Sequence, residues 1–223
     1  MSIASNIAEL NQKLPSTVKL VAVSKFKPLA DVLEAYNAGQ RRFGENRPQE
    51  MAAKAIAAPA DIEWHFIGHL QTNKVKLVVP YAALIESVDS VKLLTEINRF
   101  AASLGQMTDC LLEVHIAREE TKQGFSREEL LSLVPQFGKY PFIRFRGLMG
   151  MASNVPDLAQ VRAEFRTLKA LHDEVRALGE QEGCRWVRDF DQLSMGMSHD
   201  WPVAVEEGAT LIRVGTAIFG ARG

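Results

Sequence analysis

LSMGMSHD (residues 193–200) and RVGTAIFG (213–220) are two short apolar runs, each ending in a cluster of glycine and hydroxyl-bearing residues. Glycine lets backbone approach an anion closely, free N–H groups point at it, and Ser or Thr hydroxyls add donors, so such a cluster builds a phosphate cradle. As the last two strands of a (β/α)8 barrel, these runs would place the cradle where that fold commonly binds phosphate, in the loops after strands seven and eight. Toward the other end, LVAVSKFKP (20–28) sets Lys25 where the first apolar run stops. A lysine beside a phosphate cradle points to a phosphorylated aldehyde as ligand.

Working outward, eight β-rich runs recur: KLVAVS (19–24), RRFG (41–44), IEWHFIG (62–68), ALIESV (83–88), DCLLEVHI (109–116), FIRFRGLM (142–149), FDQLSM (190–195) and TLIRVG (210–215). Between most of them lie stretches with helical spacing, such as Val91, Leu94, Ile97 and Phe100, or Phe165, Leu168, Leu171, Val175 and Leu178. Alternating strand and helix specifies parallel strands with helical crossovers, and eight of them match a closed barrel better than an open doubly wound sheet, the alternative. A chain of 223 residues is long enough for one such barrel, and residues 1–223 are expected to form a single domain.

Composition narrows the partners. With 26 basic and 27 acidic residues the formal net charge is -1, so no global field favours nucleic acid. Cys110 and Cys184 make neither a disulfide framework nor a CxxC pair, which fits a reducing compartment. The N-terminal MSIASNIAELNQKL lacks a continuous apolar core and no later run approaches a bilayer span, so a cytoplasmic protein without membrane contact is expected. The five histidines show no close metal-ligand spacing, and no GxSxG elbow, Walker loop or GxGxxG fingerprint occurs.

In a barrel, functional residues collect at the C-terminal ends of the strands. Lys25, Asn46, Gly68, Met149, Ser198, Gly215 and Thr216 all fall there. Most lysines are simply solvated, but Lys25 terminates a Val/Ala strand, where desolvation or a nearby cation such as Lys27 would favour the neutral, nucleophilic amine. Arg213 stands inside an apolar run and needs an acceptor. It either pairs with a carboxylate such as Glu113, Asp189 or Asp191, or donates to a heterocyclic nitrogen and leaves that nitrogen unprotonated. Gly215 to Ile218 reads equally as the first turn of a last short helix, Ser194 and Ser198 as turn residues, and Asp200 as a helix cap before Pro202. His65 reads as a hydrogen-bonded core histidine, and Gln71, Asn73 and Lys74 as capping residues.

The segments VAVSKFKP (21–28), FGENRPQE (43–50), WHFIGHLQTNK (64–74), KQGF (122–125), RGLMGM (146–151), LSMGMSHD (193–200) and IRVGTAIFGAR (212–222) together resemble the YggS/PROSC family of pyridoxal 5'-phosphate (PLP) homeostasis proteins. That family is related in fold to the N-terminal barrel of alanine racemase, and the resemblance spans nearly the whole chain. It implies that Lys25 is the Schiff-base lysine, that Asn46 lines the cofactor ring, that Met149 packs near it and that Arg213 partners the pyridine nitrogen. Ser198, Gly215 and Thr216 would then form the phosphate cradle, while Lys122 falls at a family lysine of open role. The one departure is WPVAVEEGAT (201–210), where Trp201 and Pro202 stand at a helix start that is plainer elsewhere. The resemblance further implies a monomeric protein of vitamin B6 balance without robust turnover, with PLP-dependent apo-enzymes as candidate recipients. With the last cradle directly before Gly223, the second, tyrosine-bearing domain of a racemase is not expected, and Tyr36, Tyr81 and Tyr140 lie away from the predicted strand mouths. A small PLP-dependent racemase or Schiff-base lyase is the alternative, and a cofactor-free sugar-phosphate enzyme a third reading.

Overall fold

The computed structural model describes residues 2–117 and 123–220. Each apolar run overlaps a strand, with ends that differ by one or two residues: β1 (Lys19–Val23), β2 (Arg42–Glu45), β3 (Glu63–Phe66), β4 (Ala82–Val88), β5 (Thr108–Val114), β6 (Ile143–Gly150), β7 (Gln192–Ser194) and β8 (Leu211–Val214). Neighbours pair in parallel, and β8 returns to β1 with Lys19 opposite Leu211 and Ala22 opposite Val214. The sheet is therefore a closed eight-stranded barrel, not an open doubly wound sheet.

Around it run α1 (Ile3–Lys13), α2 (Leu29–Asn37), α3 (Pro48–Ala57), α4 (Val91–Leu104), α5 (Arg127–Leu133), α6 (Leu158–Gln181), α7 (Trp201–Glu206) and α8 (Thr216–Phe219). Several helices start at side-chain caps. Ser90 accepts from the Leu93 N–H before α4, Ser126 and Glu129 form a reciprocal capping box on α5, and Asp157 accepts from Ala159 and Gln160 before α6. The buried stripe of α6 includes Phe165, Leu168, Leu171 and Val175, as the spacing predicts. That of α4 is Leu93, Leu94, Ile97 and Ala101, while Val91 is exposed, so the stripe is rotated by about one residue from the predicted face. After β3 a 3-10 segment, Thr72–Leu77, takes the place of a crossover α-helix.

Strand side chains alternate, so the barrel has two separate cores. A large one lies between sheet and helices. A small one, Val21, Leu84, Leu111, Met149 and Leu211, fills the barrel axis. Among the described residues no helix is long and apolar enough to cross a membrane.

Candidate functional site at the C-terminal mouth of the barrel

Along β1 the period of two that turns Val21 into the barrel continues through Val23 to Lys25, two residues past the strand's end and half-buried. Phe26 follows with φ of 64°, a left-handed conformation that costs a bulky L-residue on the order of 1–3 kcal/mol and persists only where surroundings enforce it. They do. The Phe26 N–H donates to Glu50 Oε1 at 2.8 Å, the Arg47 guanidinium lies 4.4 Å from the Phe26 ring centre, and Lys27 Nζ donates to the Phe219 carbonyl at 2.9 Å. Lys27, expected as a neighbouring cation for Lys25, thus commits its ammonium to the end of α8.

Below this loop Lys54 of α3 is buried. Its ammonium donates to the Ser24 carbonyl (2.9 Å), Glu45 Oε1 (2.7 Å) and Glu50 Oε1 (2.8 Å), and the Ser24 hydroxyl donates to the same Glu45 oxygen at 2.5 Å. Burial holds the Glu45 carboxyl above its ordinary range even against the pull of Lys54 and Ser24. The backbone preceding Lys25 is therefore tied to a buried ion cluster.

The loops after β7 and β8 meet. Gly196 has φ of 93°, and an added Cβ would lie 2.6 Å from the Ala204 Cβ, so only glycine folds here without displacement. Asp200 does not cap α7 as expected. Its carboxylate accepts instead from the Met197 N–H at 2.6 Å and closes the MGMSHD turn on itself. Helix α7 still starts at Trp201 with Pro202 in its first turn, a position where the missing N–H costs nothing. Ser198 Oγ accepts from the Gly215 N–H at 3.4 Å, the long end of a hydrogen bond. Gly215 precedes α8 and Thr216 begins it, exposed, with the first-turn N–H groups that any helix start leaves unsatisfied.

Arg213 points into the barrel, but none of the acids proposed for it from sequence is its hydrogen-bonded partner. One Nη donates to Ser194 Oγ and the other to the Gly150 carbonyl at 3.1 Å, with Glu86 Oε2 at 3.7 Å. Ser194 Oγ donates on to Glu86 Oε2 (2.5 Å), and His65 Nδ1 sits 2.6 Å from Glu86 Oε1, so His65 is indeed a hydrogen-bonded core histidine. Burial opposes the charge on Glu86, yet His65, Arg213 and Ser194 together hold its pKa below the ordinary value. Asp191 is bonded to Arg146 at the opposite end of the barrel. Met149, in the axial core, lies on β6 next to Gly150 and forms the apolar floor.

Asn46 continues the inward series of β2. Its backbone carbonyl packs so tightly on Gly68 that an added Cβ there would come within 2.4 Å, and its Oδ1 is buried without a hydrogen-bond partner. Glu113, near the end of β5, is also buried. Lys122 lies outside the described residues. Sequence reading missed Glu86, Glu45 and Lys54; the available signal was an acid inside the apolar run ALIESV, the same kind of anomaly that drew attention to Arg213.

A closed barrel with a lysine past its first strand and a glycine–hydroxyl cradle past its last two defines a class, the alanine racemase N-terminal barrels, and the family model of that domain matches residues 1–223. The chain is 35% identical to the pyridoxal phosphate homeostasis protein of Haemophilus influenzae, over 100% of this chain and 97% of that one. It is 38% identical to its Schizosaccharomyces pombe counterpart, over 92% and 84%. PipY of Synechococcus elongatus without PLP superposes with a TM-score of 0.91 at 40% identity, covering 98% of this chain and all of that one, and PipY with PLP bound with 0.88 at 39%. Alanine racemase from Bartonella henselae shares the fold at a TM-score of 0.74 and 16% identity, with 58% of that chain covered. The chain belongs to the pyridoxal phosphate homeostasis family.

Proposed function

We propose that this protein binds PLP at the barrel mouth, holds it on Lys25 as a lysine aldimine and serves intracellular vitamin B6 balance, supplying recipient enzymes rather than turning over amino acids. The observation that carries the reading is the backbone next to Lys25: a strained residue and a buried ion cluster hold this lysine, which continues an inward-facing strand series, near the meeting loops after β7 and β8. The residues present fit the cofactor. Asn46 offers a buried, unpartnered oxygen, and the Gly215 N–H is held only weakly by Ser198. When bound, PLP supplies an aldehyde that condenses with a primary amine and a ring that withdraws electrons.

Ser198, Gly215 and Thr216 would hold the phosphate by hydroxyl and N–H groups, and Met149 would support the ring from below. Arg213 would face the ring nitrogen, kept in place by Ser194 and the Gly150 carbonyl. A guanidinium stays protonated and donates, so it leaves that nitrogen without a proton and the ring a weak electron sink. Binding without fast chemistry follows.

Borohydride reduction of purified, PLP-loaded protein and peptide mapping should place the label on Lys25, with Lys25→Ala abolishing the visible imine band. A label on Lys27, Lys74 or Lys122 would overturn the assignment. Chiral chromatography after incubation with alanine or serine enantiomers should show no racemisation; a rate of about one per second, lost in Lys25→Ala, would promote the enzyme reading.

A further inference from the structure

We propose that Glu86 is the internal counter-ion of the cofactor site: acting through the Ser194 hydroxyl it fixes Arg213 and balances its charge, and so sets the pH at which an imine on Lys25 takes up its proton. The inference deepens the proposed function and rests on it. Four residues carry it, His65 on β3, Glu86 on β4, Ser194 on β7 and Arg213 on β8, each 4% exposed or less. In the closed ring β4 pairs with neither β7 nor β8, so the bond between Glu86 and Ser194 crosses the barrel interior.

An ionised carboxylate only accepts hydrogen bonds, and that gives the chain of bonds a direction. His65 Nδ1 lies 2.6 Å from Glu86 Oε1 and the Ser194 hydroxyl donates to Oε2 at 2.5 Å, so both carboxylate oxygens are engaged. With its proton committed to Glu86, Ser194 Oγ turns a lone pair to Arg213, whose other Nη is held by the Gly150 carbonyl at 3.1 Å. Glu86 Oε2 stands 3.7 Å from the guanidinium, and His65, Arg213 and Ser194 keep the carboxyl ionised despite its burial. The charged groups that act on Glu86 come from β3 and β8; Glu113 on β5 also feels Arg213, with no ion pair between them. Apolar side chains already fill the barrel axis at Val21, Leu84, Leu111, Met149 and Leu211. A buried ion pair is often no more stabilising than such packing, so folding alone does not call for this one. A lone guanidinium at the ring would disfavour a proton on a nearby imine, and the carboxylate cancels that field.

The test follows the visible imine band of PLP-loaded protein against pH, together with PLP affinity by dialysis. Glu86→Gln should lower the midpoint of the band's titration by about one pH unit or more, because a balanced cation becomes an unbalanced one, and should weaken PLP binding about tenfold. Ser194→Ala keeps both charges and removes the bridge, so it should weaken binding while leaving the midpoint in place. Should Glu86→Gln not fold alone, the same drop is read by adding it to Arg213→Gln, a background that strands no guanidinium and in which His65 remains to hold the carboxylate. A midpoint unmoved by Glu86→Gln would overturn the proposal, and so would one moved equally by Ser194→Ala, which would assign the effect to packing. A parent protein that forms no imine on Lys25 would sink the cofactor reading, and this inference with it.

Discussion

Two buried glutamates at the same end of the barrel live in opposite circumstances. Glu45, the last residue of β2, is met by Lys54 and Ser24 and through them braces the backbone before Lys25; Glu113, near the end of β5, meets no donor among the described residues. Burial raises the pKa of both carboxyls. On the β1–β2 side the mouth is tied by charge-assisted bonds that hold a strained residue in place, and on the β5–β6 side no described residue makes such a bond to the Glu113 carboxyl.

The largest effect should come from breaking the braced side. Lys54→Met keeps the aliphatic stem but strands a buried carboxylate, so it should cost about 3–5 kcal/mol in urea denaturation and weaken imine formation by Lys25. Adding Glu45→Gln should recover most of that loss. A single variant within about 1 kcal/mol of the parent would erase the contrast.

The unbraced side should behave the other way. A carboxyl whose folded pKa of about 7 exceeds its ordinary 4.5 binds more protons in the folded state, so its contribution is fully favourable below 4.5 and is lost as pH rises toward 7. Glu113→Gln should therefore gain stability relative to the parent between pH 4.5 and pH 8, by up to about 3 kcal/mol in paired denaturation curves. A difference independent of pH would mean that Glu113 has a partner after all.

Next in size are the cradle loops. Thr216→Ala and Ser198→Ala should each weaken PLP binding by roughly ten- to a hundredfold, the loss of one hydrogen bond to a charged group, without removing the imine. Binding of PLP unchanged in both variants would move the phosphate away from these loops.

Smallest, and most informative about why the brace exists, is Phe26→Gly. Relief of the left-handed conformation is offset by glycine's backbone entropy and the lost Arg47 contact, so net stability should change by less than about 1 kcal/mol. Imine formation should nevertheless slow, because the loop would no longer hold Lys25 in one orientation. Equal rates in variant and parent would assign the strain to folding alone.

Much of this was legible in the residues themselves. The eight strands, Lys25 just past the first, the glycine–hydroxyl loops after the last two and the oddity of Arg213 all follow from local rules: side-chain alternation along a strand, the need of a buried guanidinium for an acceptor, and glycine where backbone must turn or approach. Which acceptor Arg213 finds was not legible. Sequence reading offered Glu113, Asp189 and Asp191, whereas Arg213 bonds Ser194 and the Gly150 carbonyl with Glu86 nearby, because partner choice in a barrel depends on how eight strands stagger as the sheet closes, and that is a property of no single segment. The same holds for Asp200, which turned back to Met197 instead of capping α7, and for Lys54, an ordinary helical lysine in sequence that α3 delivers beneath the Lys25 loop. Periodicity and local conformation are written along the chain; long-range electrostatic pairing emerges only when closure brings distant strand ends within hydrogen-bond reach.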